Sequence, residues 1–386
     1  MWFYYANKGI FYDYHGVLGG RYYCIISSVS FLLSSRERPA SSKQHSQHQN
    51  LEGFIESMRA VCVDESGKLD VRHIPRPEAK DGQLLIRVAA TALNRADLLQ
   101  KRGLYPPPPG ESEILGLEAS GVIADIGPGV KGRWILGSEV MALLGGGGYA
   151  EYVAVPEELV MPVPSPLTLY QAAALPEAWL TAYQLLHFIA KVKPNETVLI
   201  HAGASGIGTA AIQLVRLSRA IPVVTAGSAE KLKFAEQMGA AAGINYKEED
   251  FSEKVLQFTE GKGADVILDC VGGSFWEKNI CSLAVDGRWV LYGMLGGKTA
   301  DGDLLGKLLR KRGHLLCSLL RSRSLQYKAE LVRSFTEQVL PHFQSTDPPL
   351  QPVIDSVFNM EDVEMAHQRM EANQNIGKII LKIGNS

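Results

Sequence analysis

From residue 58 onward the chain alternates short apolar runs with turns punctuated by glycine and proline, whereas residues 1–57 show no such rhythm. Residues 60–63 and 84–88 have the compact apolar pattern of strands, with Pro75, Pro77 and Gly82 breaking the connection between them. Residues 92–99 read as a short helix entered from a polar corner. The proline-dense stretch 105–110 reads as a stiff loop carrying one large ring, Tyr105. The stretch 115–123 and the glycine run 145–148 complete a mostly β unit ending near residue 159. Residues 171–190 have helical spacing, with Pro176 separating an entry turn from a longer second helix.

Beyond that helix the pattern becomes regular. Strands are predicted near 198–200, 222–226, 243–246, 265–271, 289–294 and 314–318, with helical stretches between them. This is the βαβ rhythm of a parallel sheet covered on both faces. After Arg321 the pattern predicts a helix over 327–343, a proline-rich break, a helix over 361–372 and a last strand over 378–383 that returns to the first unit.

Length and charge narrow the classes. A chain of 386 residues buries a sizeable core and suits two domains. A formal net charge of −2 supplies no basic field for nucleic acid. Cys24, Cys62, Cys270, Cys281 and Cys317 are odd in number and widely spaced, without a C-x-x-C pair, so neither a disulfide framework nor a zinc ribbon is expected. That usage suits a reducing compartment, and the cytoplasm is the expected location. Residues 1–57 hold aromatic and serine clusters followed by a polar tract. Their longest apolar run is too short to span a bilayer, so no membrane partner is expected. The segment reads as a disordered extension ahead of Met58, or else as a mitochondrial targeting segment.

The candidate chemistry centres on one turn. An apolar strand leads into Gly203-Ala204-Ser205-Gly206-Ile207-Gly208, and helical spacing resumes from Thr209 to Leu217. Small residues there let the backbone approach a pyrophosphate, and the free N–H groups of the helix start bind its charge. Ser205 stands where the usual dinucleotide motif has its second glycine. The next strand ends without a carboxylate to hold a ribose 2′-hydroxyl; Gly227, Ser228 and Lys231 follow instead, with Tyr246 after the third strand. Serine, lysine and tyrosine there predict a 2′-phosphate site, hence NADPH. Ser228 also suits a helix cap, and the two roles are compatible. Cys270 and Val271, and likewise Tyr292, Gly293 and Met294, end parallel strands, where their backbone groups are expected against the nicotinamide half. Asn375 and Lys378 are expected to close the cleft, and His201 is assigned to packing.

The phrases Asn94-Arg95-Ala96-Asp97, Gly116-Leu117-Glu118-Ala119-Ser120-Gly121, the glycine turn, Asn245-Tyr246 and Gly377-Lys378-Ile379 resemble the quinone oxidoreductases. These form a zinc-free branch of the medium-chain dehydrogenase/reductase superfamily. The resemblance covers Met58 to about Ile383. It implies an α/β fold: a Rossmann doubly wound parallel sheet (179–321) plus a GroES-like, mostly β catalytic domain in two segments (58–178 and 322–386). It also implies NADPH, reduction of a quinone substrate, and a homodimer joined through the edge strands of the nucleotide domains.

The residues bear on the reaction as well. Zinc relatives need a Cys, a His and a further Cys or acid about the substrate. Here the helix corner offers Asn94 and Asp97, and Leu117 stands where the His would be, so no metal is expected. Without a Lewis acid a simple ketone is hard to reduce, because charge developing on oxygen lacks a stabiliser. Ortho- and para-quinones need less help, and a conjugated enone is the next easiest acceptor. Asn94 and Asp97 are expected to line the cleft and orient substrate or water; helix capping is the competing role for Asp97. Tyr105 is expected to stack over the nicotinamide or the acceptor. Release of a semiquinone, with reactive oxygen species as its consequence, stands beside the hydroquinone as an outcome. An enoyl or alkenal reductase and a non-catalytic, crystallin-like NADPH-binding protein are the competing functions.

Overall fold

The computed structural model describes residues 56–131, 133–345 and 347–384; residues 1–55 of the N-terminal extension lie outside the described residues. Among these, the predicted parallel sheet has six strands, in spatial order Ala242–Asn245, Ile221–Ala226, Thr197–Ile200, Ala264–Asp269, Leu283–Leu291 and His314–Cys317. Every neighbouring pair is parallel. In chain order this is third, second, first, fourth, fifth and sixth. The direction of winding therefore reverses between Thr197–Ile200 and Ala264–Asp269, and the carboxyl ends of those two strands open the crevice in which such sheets bind ligands. All four residues of Thr197–Ile200 are buried, as a strand covered on both faces requires. The strand predicted over 289–294 begins earlier, at Leu283, and ends at Leu291. Its first half contains Asp286 at φ 62° and Gly287, which form a bulged strand start.

The second sheet runs Ile354–Asn359, Lys378–Lys382, Gln83–Ala92, Glu118–Ile126, Glu139–Leu143 and Val160–Pro162, with Tyr152–Pro156 also pairing Gln83–Ala92. Ser57–Val63 and Leu69–Pro75 form a separate antiparallel hairpin. The tail returns as expected: Lys378–Lys382 pairs antiparallel to Gln83–Ala92. Ile354–Asn359, unforeseen behind its prolines, extends that edge in parallel.

One boundary correction matters for the site. The strand Gln83–Ala92 runs to Ala92, which pairs with Ile380, and Leu93 N–H donates to the Ile379 carbonyl at 2.9 Å. The helix predicted from residue 92 is therefore Arg95–Lys101, and Asn94 stands in extended backbone between strand and helix. Tertiary pairing outweighs the helix preference of Ala92 and Leu93.

The helix Pro176–Tyr183 links the two sheets and continues as a wider turn through Ile189. The 178/179 boundary expected from the sequence falls inside it. The helix predicted over 327–343 is Leu325–Gln338, and a separate short helix, His342–Ser345, follows. Phe343 of that short helix stacks on Trp179 with ring centroids 4.8 Å apart, and Trp179 is 2% exposed. This contact fastens the returning tail to the linking helix. Trp179→Ala should lower unfolding free energy by about 3–5 kcal/mol, measured as a shift in the urea midpoint with little change in slope; a loss under about 1 kcal/mol would show the junction repacks.

Candidate active site

The glycine turn follows Ile200 and opens the helix Gly206–Leu217. Ser205 caps that helix, its Oγ accepting from Gly208 N–H at 3.0 Å. The N–H groups of Gly206 and Ile207 have no acceptor within the helix. A side chain would not fit at the three glycines. A Cβ at Gly203 would fall 2.6 Å from Val224 Cβ, one at Gly206 2.4 Å from Lys378 Cδ, and one at Gly208 2.3 Å from the Ala202 carbonyl oxygen. The turn is thus compressed between the neighbouring strand and the returning tail, with its amide face left for an anion. Gly377 N–H donates to the Ala204 carbonyl at 2.7 Å, so the tail closes directly on the cradle. Asn375 spends its amide on the Gly377 carbonyl at 2.9 Å, which shapes that closing loop.

The strand Ile221–Ala226 ends with no carboxylate, and Glu230 is exposed. Ser228 caps the helix Ala229–Gln237, accepting from Lys231 N–H at 3.4 Å. A Cβ at Gly227 would lie 2.9 Å from the Tyr246 hydroxyl and 3.0 Å from Lys247 Cε, so Tyr246 and Lys247 flank this strand end together. Lys231 Nζ donates to the Asn373 carbonyl at 2.5 Å, and Arg95 from the catalytic sheet's helix reaches the Asn373 side chain. Burial, then Arg95, then Lys247 among other charges depress the Lys231 ammonium, and burial also depresses Arg95. Cations that weaken one another in this way form a field that an anion would relieve. Arg95 and Lys247 were not foreseen, because the fold brings them from two other elements.

Around the nicotinamide side the expectation needs correction. Asp269 Oδ1 accepts from Val271 N–H at 2.7 Å and from Gly272 N–H at 3.0 Å. The carbonyls of Cys270 and Val271 accept from Leu295 and Gly296 N–H at 3.0 and 2.7 Å. The backbone groups expected to meet a ligand at Val271 are therefore spent on the loop itself. Burial raises the Cys270 thiol to about 12, so it is no nucleophile. Tyr292 and Gly293 follow the fifth strand, and Met294 is 59% exposed beside them. His201 is fully buried, its ring nitrogens within 2.6 Å of Asn279 Oδ1 and 2.9 Å of Thr225 Oγ1, which agrees with packing.

Asn94, a candidate site residue, is tied to a buried node. Glu118 is 0% exposed; its Oε1 lies 2.7 Å from Lys378 Nζ and accepts from Asn94 Nδ2 at 2.9 Å, and its Oε2 accepts from Glu177 N–H at 2.8 Å. Lys378 Nζ donates further to Asn94 Oδ1 and the Leu93 carbonyl, at 2.7 and 2.8 Å. Asn94 is half-buried, with both ends of its amide engaged. Asp97 does not line the cleft: it is 1% exposed and accepts from Asn94 N–H, Gly116 N–H and the Tyr149 hydroxyl at 2.7, 3.1 and 3.2 Å. It braces the helix start, the competing role named for it. Burial raises its carboxyl to about 6. Tyr105 is half-buried, and Arg321 holds it. The guanidinium carbon lies 5.4 Å from the ring centroid, and the same group donates to the Tyr105 carbonyl at 3.4 Å, to Gly145 O at 2.9 Å and to Gln100 Oε1 at 2.8 Å. A cavity of about 270 Å³ also borders Arg321; Glu111 and Lys328 line it, and no predicted site residue does. Among the described residues no group of three or more His, Cys, Asp or Glu side chains stands together as a metal set.

Two family models match the chain: "Alcohol dehydrogenase GroES-like domain" over residues 80–165 and "Zinc-binding dehydrogenase" over 206–337. The mouse synaptic vesicle membrane protein VAT-1 homolog-like is 31% identical over 351 residues, covering 86% of this chain and 82% of that protein. A mycobacterial protein solved with NADPH superposes with TM-score 0.76 at 28% identity, over 84% of this chain and all of that one. A quinone oxidoreductase of Pseudomonas syringae gives TM-score 0.75 at 28% identity, and the CurK enoyl reductase 0.75 at 26%, each over 85% of this chain and all of the other. The chain belongs to the medium-chain dehydrogenase/reductase superfamily, a family of oxidoreductases.

Removing Lys378 would strand a fully buried carboxylate. Lys378→Met should cost about 3–5 kcal/mol of stability, and Glu118→Gln in the same chain should recover part of it. Chemical unfolding of the single and double variants checks this; equal losses in both would dismiss the pair. Asp97 titrates higher folded than unfolded, so the folded chain binds the extra proton, and its contribution falls as pH rises from about 4 to about 6. Asp97→Asn should remove that part of the stability-versus-pH slope, read from unfolding midpoints across the range.

Proposed function

We propose that the chain reduces quinones with NADPH, by hydride transfer in a cleft that uses no metal. The observation that carries this reading is the pairing of a phosphate cradle with a carboxylate-free, cationic strand end. Gly206 and Ile207 N–H groups would hold the pyrophosphate, and Ser228, Lys231, Tyr246, Lys247 and Arg95 would surround a 2′-phosphate. Reduced nicotinamide supplies a hydride when bound. Asn94, its amide held by Ala92, Glu118 and Lys378, would shape one side of the acceptor space rather than donate to it, and Tyr105, fixed by Arg321, would offer a flat aromatic wall. Leu117 is buried where zinc relatives would carry a ligand, and Glu118 is already neutralised by Lys378, so the donor set suits no metal.

Several features support the finer reading. The Pseudomonas syringae neighbour is titled a quinone oxidoreductase and the mycobacterial one is titled as complexed with NADPH. The phrases 175–182 and 287–293 resemble the p53-inducible quinone oxidoreductase. A second reading, reduction of a conjugated alkene, is favoured by the CurK neighbour, which is titled an enoyl reductase. For assembly we propose a homodimer through the sheet edge. His314–Cys317 pairs on one side only, and Leu305, Leu309, Leu315 and Leu319 beside it are 82, 79, 38 and 52% exposed. No helix among the described residues is long and apolar enough to cross a membrane, and the cytoplasm remains the proposed location.

Lys231→Ala should raise the KM for NADPH about tenfold or more while that for NADH changes little, the loss expected for one charge-assisted phosphate contact of about 1.5–3 kcal/mol. Initial rates with an ortho-quinone, a para-quinone and a conjugated enone check both points. Equal effects on the two nucleotides would refute the phosphate role, and a faster enone would transfer the reading to the alkene reductases.

A further inference from the structure

The two buried acids beside Asn94 are committed. Glu118 accepts from Lys378, Asn94 and Glu177 N–H, and Asp97 from three donors of its own. Glu177 is different. It is the second residue of the helix Pro176–Tyr183, its main chain is pinned to Glu118, and its half-buried carboxyl accepts no hydrogen bond from any described residue. The charged groups that act on it come from four directions: Glu118 on one strand, Lys378 on the returning strand, Asp97 on the first helix and Arg321 after the last parallel strand. It acts in turn on the phenol of Tyr105. Glu118 thus bonds both Glu177 N–H and the Asn94 amide, which sets Glu177 beside the proposed wall.

We propose that Glu177 is the proton donor of the reduction, and this rests on the reductase reading above. The acceptor takes a hydride, two electrons and one hydrogen, from reduced nicotinamide. The second proton leaves the Glu177 O–H and forms an O–H bond on the oxygen that has gained charge; the carboxylate then regains a proton from water. Geometry comes first in such an assignment, and protonation state second. Burial, with Glu118 next, pushes the Glu177 carboxyl up to about 8, against the attraction of Lys378 and Arg321. It is thus neutral at pH 7 and able to donate, the state in which a carboxylic acid serves as an acid catalyst.

The test joins a direct titration to kinetics. In ligand-free protein labelled with [5-¹³C]glutamate, one carboxyl resonance should titrate near 8 and vanish in Glu177→Gln. With a para-quinone, wild-type kcat/KM should fall as pH rises through about 8. Glu177→Gln should be about 10²-fold slower at pH 7 and lack that falling limb. Glu177→Asp should keep the limb at a reduced rate. NADPH affinity, read by nucleotide fluorescence, should be unchanged in both variants. A wild-type carboxyl that titrates below about 6, or a Gln variant retaining both rate and limb, overturns the donor role alone. A wild-type chain that binds NADPH yet turns over neither quinone nor enone overturns the reductase reading, and the donor role with it.

Discussion

A single buried ion pair organises the cleft. Lys378 on the returning strand meets Glu118 on the first catalytic segment at 2.7 Å, both almost wholly out of water. Two charges there are tolerable only when their remaining valences are satisfied. Asn94 and the Leu93 carbonyl, at the junction after the strand Gln83–Ala92, and Glu177 N–H, at the start of the linking helix, do this. The pair thereby fixes the end of a strand, the start of a linking helix and the closing tail relative to one another. Its stem also presses on Gly206, so the catalytic wall and the phosphate cradle share one side chain.

The chemistry follows from what that arrangement leaves over. Glu118 and Asp97 are saturated, so neither is free to take a metal or a substrate proton. On the proposed reading, what remains for an acceptor is an aromatic face and one unpaired carboxyl, enough for acceptors whose reduced form is already delocalised. On that reading too, the cationic strand end around Lys231 would select the nucleotide, apart from the wall that would receive the acceptor.

Much of this was legible in the residues. The apolar run before the glycine turn, the helix after it and the lack of an acid after Ala226 each have a local cause, and they read correctly from the chain. The parallel sheet itself follows from the βαβ rhythm, whereas its strand order does not, since more than one order satisfies that rhythm. What was hidden depends on distant contacts. Ala92 and Leu93 look helical until Ile379 and Ile380 pair with them. Asp97 carries no mark in the sequence that distinguishes a buried brace from a cleft residue. Glu118 and Lys378 lie 260 positions apart, so their union is a property of the returning tail. Arg95, Lys247, Arg321 and Glu177 were missed for the same reason: each acts on a segment remote from its own. The backbone at Val271 points to a ligand by position alone, yet Asp269 takes its N–H.

The central claim is that this wall works without a Lewis acid, since of the two buried acids beside Asn94 one is neutralised by a lysine and the other accepts from three donors. The most direct measurement is NADPH oxidation with a para-quinone by protein stripped exhaustively with chelator, alongside elemental analysis of the same sample. The account predicts a full rate at negligible metal content, and no gain on adding zinc. Loss of turnover that one equivalent of zinc restores would contradict it.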